Sequence, residues 1–397
     1  MQYRKFGKLD WNVSALGFGA MRLPTRPLRG VDREEAIRII RRGIDLGINY
    51  IDTAWPYHMG ESEKVVGEAL KDGYREKVHL VTKLPIYLVR KPEDFDRFLD
   101  QQLGRLQDDH IDMYLIHTLN AGYFDKVKKL GIVKKLEEAK ADGRIGHFGF
   151  SFHDTYPVFK EIVDYYDWDM VQIQYNYMDT RSQATTEGLR YAHSKGMAVV
   201  IMEPVRGGQL ANPPAEAKAL MDQSTIKRTP VDWALQFLWN QPEVATVLSG
   251  MGNMQMVEEN CASADASGIG SLSEEEEATI EAIADIYREK ILVPCTGCEY
   301  CMPCPYGVNI PKNFAILNSV NGSEGIPRLQ VRMGYNRLTG KKDKVDKENP
   351  NGNASICVEC GACVPKCPQS INIPEELKKV DAILGKRQRI SKHYPSK

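Results

Sequence analysis

The distribution of cysteines constrains this chain more than any other feature of its sequence. Eight of the nine cysteines lie between residues 295 and 367, whereas the first 260 of the 397 residues contain none. Clustered thiols in a reducing compartment are typical of metal ligands rather than of disulfides. The sequence therefore predicts a large domain over residues 1–270, a connecting helix over 271–290 and a small metal-binding domain over 291–397.

The eight clustered cysteines form two runs with short spacing. The second run reads Cys-x2-Cys-x2-Cys-x3-Cys-Pro, the ligand pattern of domains that bind two [4Fe–4S] clusters. In those domains the last cysteine of each run ligates the other cluster. This rule assigns one cluster to Cys295, Cys298, Cys301 and Cys367. It assigns the other to Cys357, Cys360, Cys363 and Cys304.

Two features of these runs leave alternatives open. In the first run two residues, rather than three, separate Cys301 from Cys304, so the fourth ligand of its cluster stays open. Pairs of Cys-x-x-Cys also make tetrahedral zinc sites, which is the alternative to a cubane. The ninth cysteine, Cys261, stands alone in a helical stretch, where we expect a small buried apolar side chain.

Residues 14 to 250 alternate short apolar strands with amphipathic helices, the pattern of consecutive βα units and a parallel sheet. Eight strands predict an α/β fold, a closed (β/α)8 TIM barrel, followed by a mainly helical second domain. The predicted strands are Ala15–Phe18, Tyr50–Asp52, His79–Thr82, Met113–Ile116, His147–Phe150, Val171–Gln174, Ala198–Met202 and Ala245–Leu248. The predicted helices include Arg33–Leu46, Glu61–Leu70, Asp94–Leu106, Ile132–Ala141 and Val231–Trp239.

A doubly wound open sheet is the alternative to the barrel. The turn after the first strand reads Gly17-Phe18-Gly19-Ala20-Met21-Arg22, so it lacks the Gly-x-Gly-x-x-Gly sequence of a dinucleotide-binding turn. Two flanking segments complete the fold prediction. Residues 1–13 indicate a hairpin that closes the barrel bottom, and Ser273–Lys290 indicates a polar helix whose Glu-rich start suits the helix dipole.

The composition argues against large polyanionic partners. The formal net charge is -1 and no block of Lys or Arg stands apart, so we expect neither nucleic acid nor a membrane surface as a partner. The N-terminal residues lack an apolar signal core, and no apolar run approaches the roughly 18 residues of a membrane span. We therefore expect a cytoplasmic protein, and the sequence does not indicate its oligomeric state.

Four polar residues lie where predicted barrel strands end, which is where such barrels carry their active sites. They are Asp52, Tyr57, Lys83 and His117. Each alone has an ordinary explanation, such as a loop cap, rim packing, a surface charge or a core histidine. Together they predict proton transfer, because an ammonium beside a tyrosine stabilises the phenolate and makes the hydroxyl a better acid. Asp52 would hold Lys83 in place, and His117 would orient a substrate carbonyl.

The motifs around these residues resemble those of the aldo-keto reductase family. Gly47-Ile48-Asn49-Tyr50-Ile51-Asp52-Thr53-Ala54-Trp55-Pro56-Tyr57, with Gly60-Glu61-Ser62-Glu63, is similar to its first signature. Leu103-Gly104-Arg105-Leu106-Gln107, with Ile111-Asp112-Met113-Tyr114-Leu115-Ile116-His117, is similar to its second. The resemblance covers about residues 3–265 and implies a catalytic tetrad of Asp52, Tyr57, Lys83 and His117.

The resemblance also implies a nicotinamide site. Ser151 and Gln172 match the residues that hold the carboxamide, although Phe152 stands where many members have Asn. The segments after strands seven and eight match further contacts, namely Met202, Glu203, Val205, Arg206, Gly207, Ser249, Gly250, Met251, Asn253, Glu259 and Asn260. No Lys or Arg occurs between Glu243 and Asn260, so a preference for NADPH is in doubt. Candidates for the substrate pocket, with ordinary packing as the alternative, are Trp55, Met21, His58 and Arg206.

The two halves of the sequence differ in their electron chemistry. A hydride carries two electrons whereas a cubane ordinarily passes one, so the two need an intermediary to exchange electrons smoothly. We expect reduction of a small carbonyl substrate with NAD(P)H in the barrel, the clusters serving as an electron port or a structural element. The runner-up is a flavin- or ferredoxin-linked reductase with FMN in the barrel cleft. A ferredoxin or another electron-transfer protein would then be a partner.

Two further classes are weaker alternatives. Some proteins that resemble aldo-keto reductases act as non-catalytic sensors of nicotinamide redox state, but the intact tetrad argues against that role here. A pure electron carrier would not need so large a barrel.

Overall fold

The computed structural model describes residues 1–26, 30–320, 325–346 and 350–395. The chain divides into two compact units. The first, which we call the barrel unit, comprises residues 1–205 and 231–277, and the second, the cysteine unit, comprises residues 206–230 and 278–397. The second unit thus takes in residues 206–230, which the sequence-based boundaries left inside the barrel domain.

The barrel unit is built on eight parallel strands, each paired with the next and the eighth with the first. The closed parallel barrel predicted from the sequence is confirmed, and the open sheet is not formed. In chain order the strands are Leu16–Gly19, Tyr50–Asp52, His79–Leu84, Ile111–Leu119, Ile145–Phe152, Met170–Gln174, Ala198–Met202 and Val244–Ser249. Nearly every residue of these strands is buried, as expected when helices cover the outer face and side chains fill the interior.

Amphipathic helices follow the strands. Their bounds are Arg33–Asp45, Glu61–Ala69, Glu93–Leu106, Ala121–Leu130, Ile132–Ala141, Tyr156–Tyr165, Thr185–Ser194, Pro230–Trp239 and Met254–Asp265. The first of them shows why the sequence folds this way. The Asp32 side chain accepts from the backbone N–H of Glu35 at the helix start, and Ala36, Ile39 and Ile40 bury one face against the sheet.

A hairpin closes the lower end of the barrel. Strands Tyr3–Lys5 and Asn12–Ser14 pair antiparallel, as predicted from the first 13 residues. Phe6 and Val13 are fully buried and pack in one cluster with interior residues of the barrel, including Tyr50 and Met113. Apolar side chains thus fill the end of the barrel away from the carboxyl ends of the strands.

The cysteine unit is mainly helical. Its helices are Ala215–Gln223, the later part of Glu274–Lys290, Ile310–Asn318, Leu329–Asn336 and Ile373–Val380. A separate apolar core that includes Val293, Phe314, Leu317, Tyr335 and Ile383 holds the last three of these helices together. Within the described ranges, no helix combines the length and the apolar character that a membrane crossing requires.

Candidate active site and cluster ligands

Asp52 and Lys83 form a buried ion pair at the carboxyl ends of two neighbouring strands. Lys83 Nζ donates to both Asp52 carboxylate oxygens, at 2.6 and 2.7 Å, and to the carbonyl oxygen of Thr53 at 2.8 Å. Burial raises the pKa of the Asp52 carboxyl and lowers the pKa of Lys83, and the opposite charge of each partner counters that effect. Because an ammonium has three donors, these acceptors fix Lys83 in one position.

Tyr57 and His117 lie beside this pair. Tyr57 begins a short 3-10 turn whose next two residues have positive φ values of 49° and 54°, and it is buried. Lys83 Nζ lies 5.2 Å from the centroid of the Tyr57 ring, and the His117 ring meets the Tyr57 ring edge-on with centroids 6.1 Å apart. Burial, and then the Lys83 charge, hold the pKa of His117 well below its usual range. The structure therefore brings all four predicted residues together, with His117 neutral at physiological pH.

A second layer of polar contacts, not assigned from the sequence, supports Lys83 and the Tyr57 loop. The fully buried Glu63 carboxylate accepts from Gln102 Nε2 at 2.5 Å and from Arg105 Nη1 at 3.1 Å. Gln102 also donates to the carbonyl oxygen of Lys83 at 3.1 Å. The Arg105 guanidinium stacks 3.6 Å above the Trp55 ring. Trp55 thus packs against Arg105. Of these supporting residues, Glu63 belongs to the first family signature, and its place in that motif was the sequence feature that could have indicated a role.

A strained backbone conformation follows His117. Thr118 has a φ of 57°, which a β-branched residue rarely adopts. Its N–H donates to Ser151 Oγ at 2.8 Å, and its hydroxyl donates to the carbonyl oxygen of His117 at 2.7 Å. Pairing with the fifth strand is irregular between Ile116 and Leu119. Ser151, predicted to contact the nicotinamide, therefore also fixes the backbone that carries His117.

Gln172 lies in register with Ser151 on the neighbouring strand. Its amide nitrogen is 3.8 Å from Met202 Sδ, and its buried Oε1 has no hydrogen-bond partner within the described part of the chain. A buried amide oxygen without a donor costs free energy unless a ligand satisfies it. The NH2 group of a nicotinamide carboxamide is a suitable donor, so these residues fit the predicted cofactor.

The segment after the eighth strand suits an anion. The helix Met254–Asp265 begins at Asn253, whose side chain accepts from the Met256 N–H at 2.9 Å, and its first turn has no acidic residue. Ser249, at the end of the strand, accepts from Asn260 Nδ2 at 3.1 Å. Free N–H groups at a helix start favour phosphate, as the sequence indicated.

Arg22 lies against Gly250, in the segment after the eighth strand, and was not predicted as a site residue from the sequence. A Cβ atom added to Gly250 would lie 2.9 Å from Arg22 Cγ and 3.0 Å from Arg22 Cβ, so glycine is required for this close approach. The sequence has no Lys or Arg within residues 243–260, and Arg22 is more than 200 positions away from this segment along the chain. Arg22 ends the turn after the first strand, and that strand pairs with the eighth when the barrel closes.

Other predicted cofactor contacts have varied surroundings in the barrel unit. Met251 is buried, whereas Glu259 is exposed and accepts from Gln255 Nε2 at 2.7 Å. The carbonyl oxygen of Glu203 accepts from Asn176 Nδ2 at 3.0 Å. Val205 is half-buried and is the last residue of this unit before residues 206–230.

Two candidates for the substrate pocket also lie in the barrel unit. His58 Nε2 accepts from the backbone N–H of Leu23 at 3.2 Å, so this ring packs under the first loop. Met21, in the same loop, is half-buried.

Arg206 and Gly207 belong to the cysteine unit. The buried Arg206 guanidinium donates to Gln209 Oε1 at 2.5 Å, and Gln209 Nε2 donates to the carbonyl oxygen of Cys295. Tyr287 OH donates to the carbonyl oxygen of Gln209 at 3.2 Å. The segment after the seventh strand therefore supports the start of the first cysteine run.

Four thiols of the cysteine unit line one cavity. We call them the first thiol group: Cys295, Cys298, Cys301 and Cys367. Apolar side chains, among them Ile310, Phe314 and Ile371, line the rest of the cavity. Burial is the main cause that raises the pKa of the Cys301 thiol. Neighbouring thiols raise it further, in decreasing order Cys298, Cys295, Cys367 and Cys363.

The remaining thiols form the second thiol group: Cys304, Cys357, Cys360 and Cys363. Burial raises the pKa of Cys363 to about 11, and the neighbouring Cys357, Cys304 and Cys360 add to that shift. Cys304 thus lies near the second run and Cys367 near the first, which is the arrangement that the ligation rule of two-cluster domains assigns. The lone Cys261 is buried in a barrel helix, as predicted.

Comparisons with known proteins agree with this division. The model of the Aldo/keto reductase family matches residues 15–285, and the model of a 4Fe-4S dicluster domain matches residues 294–372. The uncharacterized oxidoreductase YqkF of Bacillus subtilis is 27% identical over 321 residues, which are 72% of this chain and 99% of that protein. The NADH-specific methylglyoxal reductase of Escherichia coli is 27% identical over 302 residues, 64% of this chain and 91% of that protein.

A solved structure extends the likeness to three dimensions. The aldo-keto reductase AKR11C1 from Bacillus halodurans, in its holo form, is 30% identical with a TM-score of 0.61, covering 71% of this chain and 96% of that one. The matched families and these relatives lend no support to FMN. Because the first family model spans more than half of the residues, the chain belongs to the aldo/keto reductase family, with a 4Fe-4S dicluster domain after its barrel.

Proposed function

We propose that the barrel reduces a small carbonyl compound with NADH or NADPH. The observation that carries this proposal is the buried Asp52–Lys83 pair beside the ring of Tyr57, with the His117 ring edge-on to that ring. An ion pair without a role is a costly feature of a protein interior, whereas perturbed ionisable groups gather at active sites.

Tyr57 is the proposed proton donor. Its hydroxyl loses a proton as the carbonyl oxygen becomes an alcohol, and the nearby Lys83 charge stabilises the phenolate that remains. Asp52 holds that charge in place by accepting two of the three hydrogen bonds of the ammonium. Neutral His117 can donate a hydrogen bond to the same carbonyl oxygen without competing as an acid.

The nicotinamide would supply the hydride. Ser151, Gln172 and Met202 are the residues that would hold its carboxamide, because Gln172 Oε1 is buried and lacks a donor among the described residues. Gly250, Asn253 and Arg22 would hold its phosphates. Since Arg22 supplies a cation at this segment, both nucleotides remain candidates.

The eight thiols would hold two [4Fe–4S] clusters, each supplying single-electron chemistry. A cubane and a nicotinamide do not exchange electrons smoothly without an intermediary. We therefore assign carbonyl reduction to the barrel and single-electron exchange to the clusters, with a structural role as the alternative for the latter.

Replacing Tyr57 by Phe tests the carbonyl chemistry. The change removes one hydroxyl, so the fold and nucleotide binding should survive while turnover falls by about 10²–10⁴. NADH and NADPH oxidation should be followed with methylglyoxal as the probe, since an Escherichia coli relative is named for it. Tyr87→Phe is the matched control, because Tyr87 lies 6.2 Å from the His117 ring but not in the tetrad. Equal turnover by wild-type protein and the Tyr57 variant would contradict the assignment.

A further inference from the structure

The second thiol group lies at the surface of the cysteine unit. Cys360 is exposed, and the other three members are half-buried. Three exposed apolar side chains lie within two positions of these ligands in the sequence: Tyr306, Val358 and Val364 are 45%, 38% and 39% exposed. We call these three residues the apolar rim. Exposed apolar side chains that cluster around one feature mark contact surfaces.

The first thiol group is enclosed by comparison. None of its four cysteines is exposed, and apolar side chains line its cavity. Within two positions of its cysteines, no described residue is an exposed large apolar side chain. The two groups therefore differ in access, and a protein partner can approach the second group more closely.

The charge of this part of the chain is opposite to that of the rest. Residues 291–397 contain 16 Lys and Arg against 9 Asp and Glu, although the whole chain has a net charge of -1. The surplus is spread along the sequence, which is why no basic block marks it. Lys366 is exposed two residues after Val364 and has no acidic partner within ion-pair distance among the described residues. Lys378, in contrast, pairs with Glu359 at 2.7 Å.

We propose that the apolar rim and Lys366 form the docking surface for a small acidic protein that carries single electrons. The apolar side chains would exclude water at the contact, and the basic surroundings would attract the acidic partner and raise its association rate. In each encounter the reduced partner loses one electron and the adjacent cluster gains it, with no bond made or broken. This inference rests on the proposed assignment of the clusters to single-electron exchange.

Stopped-flow mixing tests the surface. Anaerobic holoprotein is mixed with a chemically reduced, acidic plant-type [2Fe–2S] ferredoxin as the probe. Its spectra differ from those of a [4Fe–4S] cluster, so its oxidation is followed by absorbance and cluster reduction by EPR of frozen samples. The second-order rate constant should fall as salt is raised, because screening weakens attraction between exposed charges. Lys366→Glu should lower it about fivefold or more at low salt. Val364→Ser should also lower it, but should leave its salt dependence unchanged.

The control variant is Lys134→Glu, on a helix of the barrel unit where the lysine side chain is 80% exposed. It should react like the wild type, and dithionite should reduce the clusters of all variants equally. A salt-independent rate, or equal rates for Lys366→Glu and Lys134→Glu, would refute the docking surface while leaving the clusters intact. Absence of iron and sulfide from the wild type would instead refute the cluster assignment itself.

Discussion

Replacing Lys83 by Met should destabilise the barrel strongly. Lys83 is fully buried, Asp52 is 2% exposed, and three hydrogen bonds of 2.6 to 2.8 Å join the ammonium to its acceptors. Removal of one partner of a buried pair leaves an uncompensated charge, which costs about 3–5 kcal/mol. The double change Asp52→Asn with Lys83→Met removes both charges and should recover at least about half of that loss. Neither variant should reduce carbonyl compounds, since Tyr57 has lost the neighbouring ammonium.

The assay is denaturant unfolding followed by tryptophan fluorescence. All five tryptophans lie in the barrel unit, so the signal reports on this unit alone. Lys134→Met is the surface control and should change the free energy of unfolding by less than about 0.5 kcal/mol. The loss in the single variant should grow from pH 5 to pH 8, because the unpaired Asp52 must ionise at higher pH. A Lys83 variant as stable as the control, or a double variant no more stable than the single one, would refute this reasoning.

Three more predictions concern the barrel. Ser151→Ala removes the acceptor of the Thr118 N–H and so loosens the backbone that positions His117. We expect kcat to fall about tenfold, which corresponds to about 1.4 kcal/mol in the activation free energy. Ser151→Thr keeps a hydroxyl acceptor and should restore part of kcat. Titration of NADH should then show a smaller change in Kd than in kcat. Arg22→Ala should weaken the binding of both nucleotides about tenfold or more, as loss of a charge-assisted contact predicts, and calorimetry measures this. Burial lowers the pKa of His153 to about 4, whereas an unfolded imidazole titrates near 6.5. The unfolded chain therefore binds the extra proton, so the free energy of unfolding should fall as pH drops from about 6.5 to 4, less so in His153→Asn.

The barrel was predictable because its signals are local. Strands buried on both faces read as short apolar runs, and helices such as Arg33–Asp45 show apolar residues at three- and four-residue spacing. Once eight consecutive βα units close into a barrel, the order of the strands around it follows their order in the chain. The meeting of Asp52, Tyr57, Lys83 and His117 was predictable from the same order, since residues at the carboxyl ends of successive strands lie on one face. Their grouping as a catalytic tetrad is what the family resemblance implies.

The remaining contacts depend on distances that the sequence does not encode locally. Arg22 approaches Gly250 only because the first and eighth strands pair when the barrel closes. The φ of Thr118 and its bond to Ser151 arise from an irregular strand pair, which no residue pattern announces. The bond from Gln209 to Cys295 joins residues 86 positions apart, and it places the segment after the seventh strand in the cysteine unit.

Isotope transfer tests the central claim most directly. NADH and NADPH deuterated on the transferring face of the nicotinamide are incubated with anaerobic holoprotein and methylglyoxal, and the alcohol is analysed by mass spectrometry. We expect one deuterium per product molecule at the former carbonyl carbon and one nucleotide oxidised per alcohol formed. In Tyr57→Phe, deuterium transfer and nucleotide oxidation should both be far slower than in the wild type. Oxidation of the nucleotide without deuterium in the alcohol, or formation of the alcohol from cluster-derived electrons alone, would contradict hydride transfer in the barrel.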